Sequence, residues 1–310
     1  MIGETRIAPA DPAALYGLVM PFADTCRLTG NPKYARHMVT VIKRLLWFVG
    51  AVSPKDLTAA AIQRYLAALA IAGAAPKTIR NHASAISAFC DFLRRLNLLP
   101  INPCRDLTLP RMEERLPNWL RPEEIAELKI AAQNHGILAE VEIALATGVR
   151  LSELARMQWA DVEVERRMLA VPRSKSHRPR IIPLSRIAVE ALERQRTVSG
   201  IFAWVFPARR TWRGAWKYID EARSTTNLAK AMRLAVVGIS RFNQGRGVGR
   251  GWHLLRHTFA SGLAQAGVSL YKIAAWLGHR DVRTTQIYAH LQAGFDNDIE
   301  RGNLTERKSP

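Results

Sequence analysis

The stretch HLLRHTFAS, residues 253–261, is followed by WLGHRD at 276–281 and by TTQIYAH at 284–290. His253 and Arg256 stand three apart in the first run, so on a helix both project from one face. His279 closes the LGH of the second run, nine residues before Tyr288 in the third. One guanidinium, two imidazoles and one phenol therefore follow each other in fixed order within a short part of the chain.

Two further residues complete this set upstream: Arg150 in TGVRLSEL, residues 147–154, and Lys175. A phosphodiester can be cut without a metal ion if cations hold its non-bridging oxygens, a nucleophile lies in line and an acid protonates the departing oxygen. Guanidiniums make planar, bidentate contacts to phosphate, and lysine is a far better proton donor than arginine. The sequence thus offers every group that this chemistry requires.

The combination of these runs resembles the tyrosine recombinases, also called phage-type integrases. The resemblance implies that Tyr288 is the nucleophile and forms a 3′-phosphotyrosyl intermediate. It implies that Arg150 and Arg256 clamp the scissile phosphate and that His279 hydrogen-bonds a phosphate oxygen.

Two remaining residues take proton-moving roles by the same resemblance. His253 donates to the phosphate or assists proton movement, and Lys175 protonates the leaving 5′ oxygen. The family usually has an acidic residue after the first histidine, whereas Leu254 stands there in this chain. Glu153 is expected to support Arg150.

A metal site is not expected, although His253 and His257 have the four-residue spacing of a helical metal pair. No acidic residue lies between them and no third ligand is evident. We therefore expect no metal and no small-molecule cofactor.

The charge of the 310-residue chain favours a polyanionic partner. The formal net charge is +19, of which +8 falls in residues 1–105 and +11 in the remainder. Residues 166–189 hold seven Lys or Arg and residues 222–280 hold nine, and neither window contains an acid. Both halves are therefore expected to contact double-stranded DNA.

The pattern predicts a mainly α protein: an N-terminal helical bundle that binds the core DNA site, and an α-rich catalytic domain with a small antiparallel β-sheet. The predicted segments are 1–105 for the core-binding domain, 106–119 for a proline-interrupted linker, 120–293 for the catalytic domain and 294–310 for a charged C-terminal tail. No arm-binding domain is expected.

Apolar residues at intervals of three and four predict N-terminal helices from Tyr34 to Phe48 and over 57–71 and 77–96. In the second half we expect helices over 122–134 and 137–147, a left-handed cap at Gly148 and an N-cap at Ser152. Strands are expected at 162–164, 169–171 and 181–182, with Lys175 in the hairpin. Downstream the chain is expected to be helical except for the glycine-rich loop 243–251.

Several basic residues that lie off the apolar stripes or in the hairpin are candidate DNA contacts, although each could equally belong to an ordinary solvated face. The six candidates are Lys43, Arg44, Lys77, Arg80, Arg173 and Arg178.

The leading function is site-specific recombination or integration that cuts and rejoins DNA strands through a Holliday junction, with a homotetramer on DNA. The alternatives are a type IB topoisomerase-like activity and a DNA-binding protein that kept the fold but not the chemistry. Completeness of the six residues disfavours the second alternative, and the N-terminal helical domain and the tail disfavour the first. Three cysteines without metal-ligand spacing, no evident signal peptide and no apolar run of membrane length predict a cytoplasmic protein without a membrane partner.

Overall fold

The structure is a computed structural model that describes residues 14–28, 32–112, 118–172, 179–212, 215–239, 242, 251–279, 281 and 283–291. The chain forms two compact units, Met1–Glu114 and Arg115–Pro310. The boundary falls inside residues 106–119. The DNA-binding role of the first unit and the catalytic role of the second stay predictions.

The first unit is helical within its described residues. Its helices are α1 (Ala14–Gly17), α2 (Val19–Leu28), α3 (Pro32–Val49), α4 (Ala59–Ile71) and α5 (Pro76–Arg95), with 3-10 turns at Pro54–Asp56 and Pro103–Asp106. Thr58 begins α4 by accepting a hydrogen bond from the Ala61 amide at 3.2 Å. Pro76 begins α5, where a missing amide proton costs nothing. The three helices predicted from apolar spacing are confirmed, with ends shifted by one or two residues.

One apolar core holds this unit together. Ile42 of α3, Ile62 of α4 and Ile86 of α5 are fully buried in it. Phe22 meets Phe89 edge-on, with ring centroids 5.2 Å apart. The basic candidates Lys43, Arg44 and Lys77 are exposed, as expected for residues that lie off the apolar stripes.

The second unit carries helices around a small sheet. The helices are α6 (Pro122–Asn134), α7 (Leu138–Thr147), α8 (Leu151–Leu154), α9 (Arg186–Ser199), α10 (Thr225–Ala235), α11 (Gly251–Gln265), α12 (Leu270–Leu277) and α13 (Arg283–Gln286), with 3-10 turns at Trp159–Asp161 and Ala289–Leu291. Helix α7 packs against α6, α9 and α11. Its Val141 and Ile143 are fully buried, so α7 lies at the centre of this core.

The predicted antiparallel sheet is confirmed. Strands β1 (Val162–Glu163), β2 (Met168–Val171) and β3 (Arg180–Pro183) pair in chain order, with Leu169 opposite Ile182. The loop between β2 and β3 contains Lys175, Arg173 and Arg178, which lie outside the described residues.

The expectation that the chain after the sheet is helical except for the loop 243–251 was wrong at residues 207–222, and residues 243–250 of that loop lie outside the described residues. Strands β4 (Pro207–Trp212) and β5 (Ala215–Ala222) form an antiparallel hairpin between α9 and α10. The hairpin is held by cross-strand pairs such as Arg209 with Tyr218, whose ring lies 5.0 Å from the guanidinium carbon. Such pairs form only when the strands meet, and the basic stretch lacks the apolar alternation that marks a strand. Within the described residues, no helix is long and apolar enough to cross a membrane.

Candidate active site

Arg150 lies at the turn between the first two elements of the site. Helix α7 ends at Thr147 and is capped by Gly148, whose φ of 63° is left-handed as predicted, and α8 begins at Leu151. A Cβ at Gly148 would lie 2.4 Å from the Phe259 ring, so both conformation and space require glycine. The N-cap residue of α8 is Arg150, whereas Ser152 was expected there. The Glu153 carboxylate accepts a hydrogen bond from the Arg150 amide at 2.8 Å, which caps the helix at this position.

Glu153 joins two arginines from different elements. Its carboxylate accepts hydrogen bonds from Arg150 Nη1 at 2.9 Å and from Arg180 of β3 at 3.1 and 2.7 Å. Burial opposes the charged form, but the bonds and charges of Arg180, together with those of Arg150, lower the pKa of Glu153 below its usual 4.5. Glu153 is therefore ionised at neutral pH and holds the guanidiniums of Arg150 and Arg180 by hydrogen bonds and opposite charge.

Glu153→Gln should lower the free energy of unfolding by about 3–5 kcal/mol at neutral pH, because it leaves buried Arg180 without its counter-charge. The pKa of Glu153 is lower in the folded chain, so its contribution is full above pH 4.5 and is lost as the pH falls through the folded value. Urea unfolding of the parent and of Glu153→Gln should therefore show a difference in the free energy of unfolding that becomes smaller in acid.

Glu163→Gln is the matched control, because its ion pair with Arg166 is exposed and contributes about 0–1 kcal/mol. If Glu153→Gln lowered the free energy of unfolding no more than Glu163→Gln does, Glu153 would not be the residue that holds the two arginines.

Arg256 of α11 is buried, with 4% of its surface exposed. Its Nη1 donates to the Gly148 carbonyl at 2.8 Å and its Nη2 to the Leu277 carbonyl at 2.5 Å. These oxygens lie at the carboxyl ends of α7 and α12, where helix dipoles favour a cation. Burial, and next the Arg150 charge, lower the pKa of Arg256 to about 9, so the group stays protonated at neutral pH.

The end of α12 holds three guanidiniums among the described residues of the site. Arg180 Nε donates to the Trp276 carbonyl at 2.7 Å, and Arg150 Nη2 donates to that of Gly278 at 3.3 Å. Together with Arg256 on Leu277, three successive main-chain oxygens each hold one arginine. Gly278 has φ 66°, and a Cβ there would lie 3.0 Å from Arg180 Cδ. We call these three oxygens the carbonyl anchor.

His279 follows this anchor directly. Its Nδ1 is 2.7 Å from the Thr285 hydroxyl, which orients the ring. Burial, followed by the charges of Arg256 and Arg150, lowers the pKa of His279 to about 4. The ring is therefore neutral at pH 7 and carries one N–H donor.

Tyr288 is 1% exposed and lies in a small apolar cluster with Ala260, Ile273 and Leu277. Its hydroxyl oxygen is 2.5 Å from Nδ1 of His257. Burial raises the pKa of Tyr288 to about 12, against the opposing charge of Arg256. In this state the phenol is protonated at neutral pH.

His253 is exposed, unlike buried Arg256 three residues later. Its ring is perpendicular to that of His257, with centroids 5.2 Å apart. The two histidines belong to no group of three potential metal ligands within the described part of the chain.

In the structure Arg150 and Arg256 bind neighbouring main-chain oxygens next to His279. Tyr288 is hydrogen-bonded to His257, the residue after Arg256, and the ring of His253 lies against that of His257. Lys175 lies outside the described residues, as do the DNA-contact candidates Arg173 and Arg178. Among the N-terminal candidates, Arg80 is half-buried and its Nε donates to the Pro110 carbonyl at 2.9 Å.

Sequence reasoning missed the roles of three residues in this geometry. Arg180 was not among the candidate site residues, although it lies in the acid-free window 166–189, which was the available signal. His257 was weighed only as a metal ligand, although its place beside Arg256 and one helical turn from His253 put it in the site. No sequence signal indicated that Thr285 would hold His279.

Comparison with known proteins supports the resemblance to tyrosine recombinases. Residues 118–294 match the model of the phage integrase family. The chain is 28% identical over 282 residues to the tyrosine recombinase XerD of Halalkalibacterium halodurans, covering 86% of this chain and 88% of the relative. It is 30% identical over 247 residues to the tyrosine recombinase XerC of Mycobacterium tuberculosis, covering 76% of this chain and 79% of the relative.

Solved structures share the fold. A lambda integrase dimer bound to a COC′ core site matches with a TM-score of 0.71 at 18% identity, over 96% of this chain and 79% of that one. A lambda integrase tetramer bound to a Holliday junction matches with a TM-score of 0.68 at 18% identity, over 95% and 80% of the two chains. With the family model matched over more than half of its length, this chain belongs to the phage integrase family, the site-specific tyrosine recombinases.

Proposed function

We propose that the chain cuts and rejoins double-stranded DNA by attack of the Tyr288 oxygen on a phosphodiester, which forms a 3′-phosphotyrosyl bond and releases a 5′ hydroxyl. The observation that carries this proposal is the convergence of Arg150, Arg180 and Arg256 on the carbonyl anchor close to His279. Arg150 and Arg256 clamp the non-bridging oxygens, while His253 and His279 supply further donors.

The charge balance of the site supports this assignment. Arg150 and Arg180 are paired with the Glu153 carboxylate, whereas Arg256 binds main-chain oxygens, so these four described side chains carry a net charge of about +2 before DNA binds. A phosphodiester gains negative charge as the tyrosine attacks, and preorganised cations stabilise that transition state more than the ground state. The site therefore has both the sign and the rigidity that phosphoryl transfer requires.

A two-site recombination assay tests this function beside a supercoil-relaxation assay. Recombinant products that depend on two matched sites are expected. Relaxation without recombination would indicate topoisomerase activity, and DNA binding with neither product would indicate a non-catalytic protein.

Lys175→Ala should slow DNA cleavage by about 10²–10⁴-fold, because the leaving 5′ oxygen then lacks its acid. A substrate with sulfur at the 5′ bridging position needs no acid, so it should restore much of the rate. Rates of covalent adduct formation on the oxygen and sulfur substrates measure this. Equal defects on both would show that Lys175 only positions the DNA and that another group is the acid.

We propose that the first unit holds the duplex through Lys43, Arg44, Lys77 and Arg80, and that four subunits assemble on two duplexes. Three of these side chains are exposed, and strand exchange between two duplexes requires four cuts. The lambda integrase structure on a Holliday junction is a tetramer, which supports the same stoichiometry here.

Deleting residues 294–310 should leave binding to one half-site nearly intact but lower cooperative binding to two half-sites and recombination. A mobility-shift titration of full-length and truncated protein on one and two half-sites checks this. Unchanged cooperativity would mean that the tail, which lies outside the described residues, does not bridge subunits.

A further inference from the structure

The hydroxyl of Tyr288 is held by a residue that the six-residue set does not contain. Its oxygen lies 2.5 Å from Nδ1 of His257, and the ring centroids are 6.0 Å apart. Because Tyr288 is 1% exposed, the protein and not solvent sets the direction of its O–H bond.

The chemistry of the two groups fixes which one donates. Burial, followed by the charges of His253 and Arg256, lowers the pKa of His257 to about 4, so the ring is neutral at pH 7. The pKa of Tyr288 is raised to about 12, so the phenol keeps its proton. Tyr288 must then donate to an unprotonated Nδ1, and the His257 proton sits on Nε2.

The helix that carries His257 also carries the phosphate clamp. Arg256 is the preceding residue and is fixed at the Gly148 and Leu277 carbonyls. Leu277 and Tyr288 share one apolar cluster with Ala260 and Ala264 of the same helix. One rigid segment of α11 therefore sets both the clamp and the contact to the attacking oxygen.

We propose that His257 positions the nucleophile: its Nδ1 accepts a hydrogen bond from the Tyr288 hydroxyl and so directs the oxygen lone pairs to the phosphate held by Arg256. As the oxygen–phosphorus bond forms, the phenol proton moves across this hydrogen bond to Nδ1, and the 5′ oxygen leaves as a hydroxyl as in the proposed function. This inference rests on the proposed function of Tyr288. Reactive groups must be held within a fraction of an ångström of the attacking geometry, and a misplacement of about 1 Å can cost about 10²-fold in rate.

The test is single-turnover adduct formation on a nicked suicide duplex at saturating DNA. His257→Ala should slow the rate about 10- to 100-fold, with DNA affinity near that of the parent. His257→Asn should be faster than His257→Ala but slower than the parent, because its Oδ1 restores an acceptor near the position of Nδ1 but cannot take up the phenol proton. His257→Gln, whose acceptor lies farther out, should recover less.

His135→Ala is the control, since His135 is an exposed histidine at the end of α6. If His257→Ala folds poorly, the rates of the other two variants still test the inference, because His257→Asn should be faster than His257→Gln. A contact-specific stability test adds to this: the drop in melting temperature on His257→Ala should be larger in the parent than in a Tyr288→Phe background.

Two results would overturn the inference: a His257→Ala rate equal to or above that of the parent, or no recovery by His257→Asn. These outcomes are distinct from failure of the proposed function, which would appear as adduct formation by Tyr288→Phe. A chain in which Tyr288→Phe is inactive and His257→Ala is normal would retain the function and lose only this inference.

Discussion

Tyr288→Phe is expected to bind DNA like the parent protein and to form no covalent adduct. The substitution removes one oxygen and leaves the ring in its cluster with Ala260 and Ile273. Within the described residues the substitution removes the hydrogen bond to His257, which is worth about 1 kcal/mol. A denaturing gel of protein mixed with a nicked suicide duplex measures the adduct.

Tyr271→Phe serves as the control, because Tyr271 is 74% exposed on α12. It should form adduct at the parental rate. Undiminished adduct with Tyr288→Phe would mean that another residue attacks the DNA.

Arg256→Lys is expected to reduce the rate of adduct formation by about 10²–10³-fold, the usual effect of removing one donor from a preorganised oxyanion site. Lysine keeps the charge but has no planar fork, so it cannot bind the Gly148 and Leu277 carbonyls together and still face a phosphate. DNA affinity is expected to change much less, because phosphate contacts along the rest of the duplex are expected to supply most of it.

Single-turnover rates measure adduct formation by Arg256→Lys, and mobility shifts on one half-site measure its DNA affinity. Arg233→Lys, at an exposed position in the last turn of α10, should behave like the parent. A rate for Arg256→Lys within about threefold of the parent would show that charge alone is needed at this position.

The elements that the sequence predicted well are those specified by local patterns. The apolar spacing from Tyr34 to Phe48 marks one helix face, and burial of Ile42 and Leu45 confirms that the middle of this face is inward, whereas Tyr34 and Phe48 at its ends are exposed. The β2–β3 pair was predictable for a similar reason, because short β-branched runs flank a polar hairpin. By contrast, strands β4 and β5 pair a basic stretch with an aromatic one, and nothing local favours that pairing over a helix.

The candidate site shows the same limit. Motif order and spacing identified Arg150, Arg256 and Tyr288 as residues of one site, and the structure places the two arginines on neighbouring carbonyls. Partners far apart in sequence were not predictable. Glu153 and Arg180 are 27 residues apart and meet only because β3 packs against α12.

The carbonyl anchor has a consequence for how this recombinase can be re-engineered or can diverge. Main-chain oxygens are present whatever side chain a codon specifies, so point mutations cannot delete the acceptors that hold the three arginines. Libraries built to retarget the protein to new DNA sequences can therefore vary its outer surfaces widely without disturbing catalytic geometry. Codons 148 and 278 should be left fixed, because any side chain there would meet Phe259 or Arg180.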